Sequence, residues 1–267
     1  MKVVTSEATS DTIREEYEWY INTLKPEIKT TQEKLGQIKT LISPTKETIN
    51  EECLRFDLDG FQGMVQLNGT ECSGSRIVIN NEEWSHKPEA FYIVDCPLKQ
   101  MYNVLYVIGT IEDDISLLDP FKINDYIELV TKIYDMIGEA LDSIRNRPTL
   151  IFPFTPTHTF FMRAHPTVTA DIYIEHSEIV VKIFKLDSVG SKNPSPSIND
   201  GDVNESVEVK TRQRTAQAFL IESRYYWVEN VEEIHLTCQK LDEIVNILSE
   251  LQEMWGLIEN NVTQFAS

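Results

Sequence analysis

The chain has 267 residues, of which 43 are acidic and 24 basic, for a net charge of −19. A chain of this length buries roughly 70 to 75% of its unfolded surface, so it can hold a core without a disulfide or a metal. The charge opposes phosphate backbones and anionic lipid surfaces, and no apolar run approaches the roughly 18 residues of a spanning helix; nucleic acid and direct membrane insertion are excluded as expectations. The cysteines Cys53, Cys72, Cys96 and Cys238 form neither a Cys-x-x-Cys pair nor a zinc-spaced cluster with histidine, which predicts reduced thiols in a cytoplasmic protein.

From Thr12 onward, Ile13, Tyr17, Tyr20, Leu24, Ile28, Thr31, Leu35, Ile38 and Ile42 recur mostly at steps of four and three, the spacing of one apolar helical face. Asp11 is placed to cap this helix, Pro26 to kink it and Ser43-Pro44 to end it. Runs of period two follow at Leu54 to Leu58, Met64 to Leu67, Arg76 to Asn80 and Phe91 to Val94, with Asp59-Gly60 and Asn68-Gly69 as hairpin turns. Leu98, Met101, Leu105, Ile108 and Ile115 predict a second helix, stopping around Leu118 to Pro120. A third carries Ile123, Ile127, Val130, Tyr134, Ile137, Leu141 and Ile144 and ends at Arg145-Asn146-Arg147-Pro148. Leu150 to Phe154, Asp171 to Ile174 and Ile179 to Leu186 read as strands, the last two joined by Glu175-His176-Ser177. The stretch Ser188 to Ser206 holds almost no large apolar residue, cannot offset its ordering entropy, and is expected to be a disordered loop. Ala218 to Ile221 adds a strand. Tyr225-Tyr226-Trp227 then leads into a fourth helix from about Val231 to Ile258, whose heptad places Val231, Ile234, Cys238, Leu241, Val245, Leu248, Gln252 and Trp255 at a and d.

Every helical stripe and strand face needs a partner. The predicted architecture is α+β: an antiparallel four-helix bundle from residues 10–44, 97–148 and 228–263, with a discontinuous antiparallel β-domain from 50–95 and 149–227 at one end of an elongated molecule. Its seam is expected to contain Ile127, Val130, Tyr134, Ile137 and Leu141 of the third helix and Ile234, Cys238, Leu241, Val245 and Leu248 of the fourth.

The chain offers no glycine-rich phosphate loop with its lysine, no nucleophile elbow and no metal-ligand pair at helical spacing. Ser73-Gly74-Ser75 and Asp57-Leu58-Asp59-Gly60 read as turns, the second because its glycine comes too early for a calcium loop. The five histidines are scattered. Glu112-Asp113-Asp114 and Glu229-Glu232-Glu233 read as solvated faces, with Arg145 and Arg147 as partners for such acids. No catalytic residue, cofactor or metal is expected. Tyr225, Tyr226 and Trp227 have two readings, core packing or an exposed anchor for a protein partner.

Ile13-Arg14-Glu15-Glu16-Tyr17-Glu18-Trp19 is similar to the opening helix of the Rogdi leucine-zipper family. Phe61-Gln62-Gly63-Met64-Val65-Gln66-Leu67-Asn68-Gly69 resembles that family's first hairpin, Ser143-Ile144-Arg145-Asn146-Arg147 its third-helix end, and Asp171 to Leu186 its second hairpin. The resemblance runs in order over nearly the whole chain. It departs at the Ser188 to Ser206 loop, and in a final helix with only Leu241 and Leu248 at zipper spacing. What it implies is a non-catalytic subunit of the RAVE complex, recruited from the cytoplasm to vacuolar and endosomal membranes. There it would bind a large rabconnectin-like WD-repeat scaffold, together with peripheral-sector and stalk subunits of the vacuolar ATPase, to promote assembly of that proton pump. Two other classes compete: a coiled-coil tether or trafficking adaptor unrelated to the pump, and an enzyme whose site gathers scattered carboxylates.

Overall fold

The computed structural model describes residues 14–15, 17–42, 52–84, 88–118, 123–148, 168–188, 218–221 and 224–265. A π-helical turn, Tyr20–Leu24, runs into α1 (Lys25–Ile42). Four strands follow, β1 (Glu52–Leu58), β2 (Phe61–Asn68), β3 (Glu71–Ile79) and β4 (Glu89–Pro97), then α2 (Lys99–Ser116) and α3 (Ile123–Arg145). After these come β5 (Val168–Glu175), β6 (Glu178–Ser188), β7 (Ala218–Ile221), β8 (Arg224–Thr237) and α4 (Gln239–Phe265). The chain divides into two compact units, one of Met1–Asn50, Lys99–Asn146 and Gln239–Ser267, the other of Glu51–Leu98 and Arg147–Cys238.

In the first unit α3 packs against α2 and α4, and α1 against α4 and α2. The apolar stripe of α1 is buried as its spacing requires, through Leu24, Ile28, Thr31, Leu35, Ile38 and Ile42. Pro26 has no N–H to continue the helical ladder, and the wider turn lies directly before it, where the Lys25 N–H donates to the Tyr20 carbonyl five residues back. Between α1 and α4 the fully buried Trp255 donates its indole N–H to the Thr31 hydroxyl at 2.9 Å, and Thr31 donates to the Glu27 carbonyl at 2.8 Å. Tyr20 stacks on Tyr126 with ring centroids 5.3 Å apart. Side-chain bonds fix α2 on α3: Gln100 donates to the Ser143 carbonyl at 2.9 Å, and Asn103 to the Ser143 hydroxyl at 2.6 Å.

Among the described residues the second unit holds two antiparallel sheets of four strands each, in the orders β1-β2-β3-β4 and β5-β6-β8-β7. The first is a meander whose buried face presents Phe56, Phe61, Val65, Leu67, Ile77, Ile79 and Ile93. Gly63 is required in it, because a Cβ there would stand 2.5 Å from the Arg76 carbonyl oxygen and 2.6 Å from the Phe56 ring. The pairing of β2 with β3 slips between Met64 and Leu67, beside Ser75, whose hydroxyl accepts the Gln66 N–H at 3.1 Å. In the second sheet β6 pairs with β8 from Glu178↔Thr237 to Ser188↔Tyr226. The β5–β6 turn puts His176 and Ser177 at φ of 51° and 62°, the left-handed pair a two-residue hairpin needs.

Three expectations are corrected. The architecture is α+β, but not a four-helix bundle carrying a β-tip: among the described residues eight strands form two separate sheets, each closing its own ladder of hydrogen bonds. The fourth helix does not begin near Val231. Ile234, Leu236 and Cys238 are buried while His235 and Thr237 between them are exposed, so the segment alternates with period two and is strand as far as Thr237. The steps of three and four from Val231 to Cys238 are a coincidence of that strand with the helix after it. Finally, the register of α4 is shifted. Its buried stripe is Leu241, Ile244, Leu248, Leu251, Trp255, Ile258 and Val262, which replaces Val245 and Gln252 by Ile244 and Leu251. Asp11, the Leu150 to Phe154 strand and the Ser188 to Ser206 loop, beyond Ser188 itself, lie outside the described residues.

The two registers predict opposite outcomes for neighbouring substitutions. Leu251→Ala should cost about 2 to 5 kcal/mol by opening a cavity, and Gln252→Ala less than about 1 kcal/mol. Urea denaturation of both variants checks this; equal losses would contradict the packing of α4.

Candidate functional site

The densest charge constellation among the described residues lies on one face of the second sheet. Cross-strand pairing aligns Asp171, Lys182 and Glu233 in one row and Tyr173, Val180 and His235 in the next. Lys182, only 7% exposed, bonds to the Glu233 carboxylate across the β6–β8 pair. Arg147, just past the end of α3 in sequence, reaches the same face. Its Nη2 donates to Glu175 at 3.1 Å and to Glu233 at 3.0 Å, while its guanidinium carbon lies 5.4 Å from the centre of the Tyr173 ring. His235 Nδ1 is 3.0 Å from the Glu178 carboxylate. Burial works against the ionised form of Glu233, but the Lys182 ammonium and the Arg147 guanidinium outweigh it and hold the carboxyl below its ordinary range. The Tyr173 phenol is pushed well up, first by burial and then by the Glu233 charge, and its hydroxyl is buried without a hydrogen-bond partner.

Chemically, the arrangement neutralises itself. The buried Lys182 ammonium is met by an acid, and Glu233 serves both cations at once. Arg147 thus finds the acidic partner expected of it, and the Glu229-Glu232-Glu233 group is in part an ion-pair site rather than only a solvated face. Glu112 and Asp114 of α2 are likewise engaged, by Lys39 and Lys132. The Arg145 guanidinium goes to the Ser249 hydroxyl at 2.8 Å. Among the described residues no group of three or more His, Cys, Asp or Glu is placed to hold a metal, and no helix is long and apolar enough to cross a membrane.

The cysteines make a second cluster. Cys72 and Cys96 are cross-strand partners on β3 and β4, and with Cys238 they are buried and unbridged, while Cys53 is exposed. Burial, followed by the nearby Asp171 and Glu71, pushes the Cys96 thiol up to about 12. Burial pushes Cys72 up as well, helped by Cys96 and Cys238. Thiols held so firmly in the protonated form are poor nucleophiles.

The residues proposed from sequence are distributed as follows. On α3, Val130, Ile137 and Leu141 are buried and Ile127 and Tyr134 half-buried; on α4, Leu241 and Leu248 are buried and Val245 half-buried. Cys238 is the single residue between β8 and α4, and Ile234 lies on β8 opposite Val181, outside any helical seam. Tyr126, Ile133 and Ala140 on α3, and Ile244 and Leu251 on α4, are buried positions that the sequence reading missed. Its signal was available, since the shifted register of α4 contains only apolar residues where the chosen one contained Gln252. Leu241 and Leu248, at zipper spacing, are at most 1% exposed and are used inside this chain's own helical unit. Of the aromatic trio, Tyr226 is buried with Phe184 and Leu186, which makes it core rather than anchor; Trp227 is half-buried, and Tyr225 lies on β8 opposite Leu220.

Set beside known proteins, residues 16–253 match the family model described as Rogdi leucine zipper containing protein. A comparison with curated proteins found no match.

Glu233→Gln should cost about 1 to 3 kcal/mol, because Lys182 stays buried without its acid. The wild-type contribution of Glu233 is complete above the unfolded glutamate value of about 4.3 and is lost as pH falls through the lower folded value. Urea titrations at several pH values should therefore show a steeper acid loss in wild type than in the variant; parallel profiles would remove Glu233 from the network. In the folded protein a maleimide should take up one equivalent, at Cys53, with Cys72, Cys96 and Cys238 reacting only after denaturation, as read by intact mass.

Proposed function

The chain belongs to the Rogdi leucine zipper family, and we propose that it is a non-catalytic subunit of the RAVE complex that promotes assembly of the vacuolar proton-pumping ATPase. The observation that carries this reading is the extent of the family match, residues 16–253, which takes in both compact units rather than a single shared helix. The work of such a subunit is binding. A large WD-repeat scaffold of the rabconnectin type and the peripheral-sector and stalk subunits of the pump are its partners, and it joins vacuolar and endosomal membranes from the cytoplasm through them. Several weak faces acting together supply the affinity, because the second contact made by a tethered partner benefits from a high effective concentration. The net charge of −19 speeds encounter with basic surfaces and makes those encounters salt-sensitive.

Affinity capture of the full chain from its own cells at low salt, with mass spectrometry of what is retained, tests the proposal. The expected result is a WD-repeat scaffold recovered with peripheral subunits of the vacuolar ATPase, at yields that fall as salt is raised. Recovery of vesicle-tethering or cytoskeletal proteins in their place would move the chain to the adaptor class and end the pump assignment.

A further inference from the structure

Helix α2 has two faces that look apolar, one buried and the other largely exposed. Its buried stripe is Met101, Val104, Val107, Ile108, Ile111 and Ile115. At about 100° per residue, Tyr102, Tyr106, Gly109 and Asp113 fall on an arc diametrically opposite that stripe. Leu117 continues the arc, since its N–H still donates to the Asp113 carbonyl at 3.2 Å. Tyr106 is 71% exposed, Leu117 82% and Tyr102 45%. These are three of the seven large apolar side chains left exposed among the described residues, and no other helix concentrates them in this way.

Gly109 makes the arc more than a chance group of surface tyrosines. A glycine in mid-helix costs roughly 0.5 to 1 kcal/mol relative to alanine. Here a Cβ would meet nothing within 4 Å, so nothing in the described chain requires the glycine. It leaves a dent beside Tyr106, one helical turn away, of the kind that admits a side chain of a second helix. Neighbouring helices frame the arc without covering it: Glu112 on one flank bonds to Lys39 of α1, and Asn103 and Asp114 on the other meet Glu139 and Lys132 of α3. The charge around it is mostly negative. Asp113 stands on the arc, with Asp135, Glu139 and Asp142 exposed on α3, against Lys99 at the N-terminal end of α2 and the paired Lys132.

We infer that the outer face of α2 is a docking surface for a basic amphipathic helix of another protein. Resting on the reading of the chain as a binding subunit, this places one of its contacts. The partner's apolar residues lie along Tyr106 and Leu117 with one of them seated at Gly109, and its Lys and Arg residues face Asp113 and Glu139. Tyr106 suits this role because it offers a large apolar ring with a polar hydroxyl at its edge.

The test uses the full chain with p-benzoylphenylalanine replacing Tyr106, irradiated in the protein's own cells, and mass spectrometry of the cross-linked peptide. The expected product is a segment of another protein with excess Lys and Arg and apolar residues at helical spacing. Gly109→Leu in the same chain should lower its yield at least tenfold while the protein melts at or above the wild-type temperature, because the substitution fills empty space and favours the helix. The inference is overturned by a cross-link to a second copy of this chain, by one to an acidic or non-periodic segment, by a yield that Gly109→Leu leaves unchanged, or by no product above that from the same probe replacing Glu253 on α4. If any of these outcomes occurs while the chain still retains scaffold and pump subunits, the surface fails and the proposed function stands. A cross-linked basic helix from a protein unrelated to the pump would do the opposite, upholding the surface and ending the pump assignment.

Discussion

A fully buried indole must place its N–H on an acceptor, and in the helical unit Trp255 finds the Thr31 hydroxyl. The geometry admits little freedom: slide α4 along α1 by one turn and the N–H faces hydrocarbon, leaving an unmet donor at a cost of about 1 to 3 kcal/mol. The bond therefore fixes the register of the first described helix against the last, across 224 positions of sequence. Once those two are fixed, α3 has a defined surface to pack on, and Lys34 of α1 finds Glu250 one turn or so from the tryptophan. Apolar burial supplies most of the driving force, but apolar stripes slide; a single polar requirement in their midst selects one alignment.

The same logic operates in the second sheet, with charge in place of a neutral hydrogen bond. A strand face that buries Val180, Phe184 and Thr169 also buries Lys182, and the lysine dictates that an acid stand directly across from it on β8. A slip of one residue in that pairing would set Glu232 or Ile234 there and turn the Ile234 and Leu236 face outward. Arg147 adds a third point of attachment and spreads its charge over Glu175, Glu233 and the Tyr173 ring. Two unlike devices thus do one task, the choice of a single register among several that the apolar pattern alone would permit.

Much of this was legible in the sequence, and the exceptions have physical reasons. Helices α1 to α3 and the first hairpins follow from spacing and turn chemistry because each segment obeys one period without interruption. The failure came at the junction of β8 and α4, where strand and helix are separated by Cys238 alone. There a period of two and a period of three and a half share Ile234, Cys238 and Leu241, and a heptad can be drawn through both. The exposed residues between, His235 and Thr237, carried the correct signal. Both sets of strands do fall in one discontinuous unit, but strand count says nothing about how many ladders the strands will close, and they close two. Of the candidate site, Arg147 could be expected to meet an acid, but its convergence with Lys182 and Glu233 depends on pairing between strands whose register no local rule supplies.

The long reach of the Thr31–Trp255 bond has a consequence on the ribosome. At roughly 5 to 20 residues per second, synthesis of the intervening 224 residues takes roughly 10 to 45 s, and through that interval the stripe from Leu24 to Ile42 has been made without the helix that covers it. The other unit waits too, because β6 lacks its β8 neighbour until Arg224 to Thr237 have been made. Neither half of the molecule can complete its core early in translation, so the nascent chain carries bare apolar surface for longer than a domain built from contiguous sequence would.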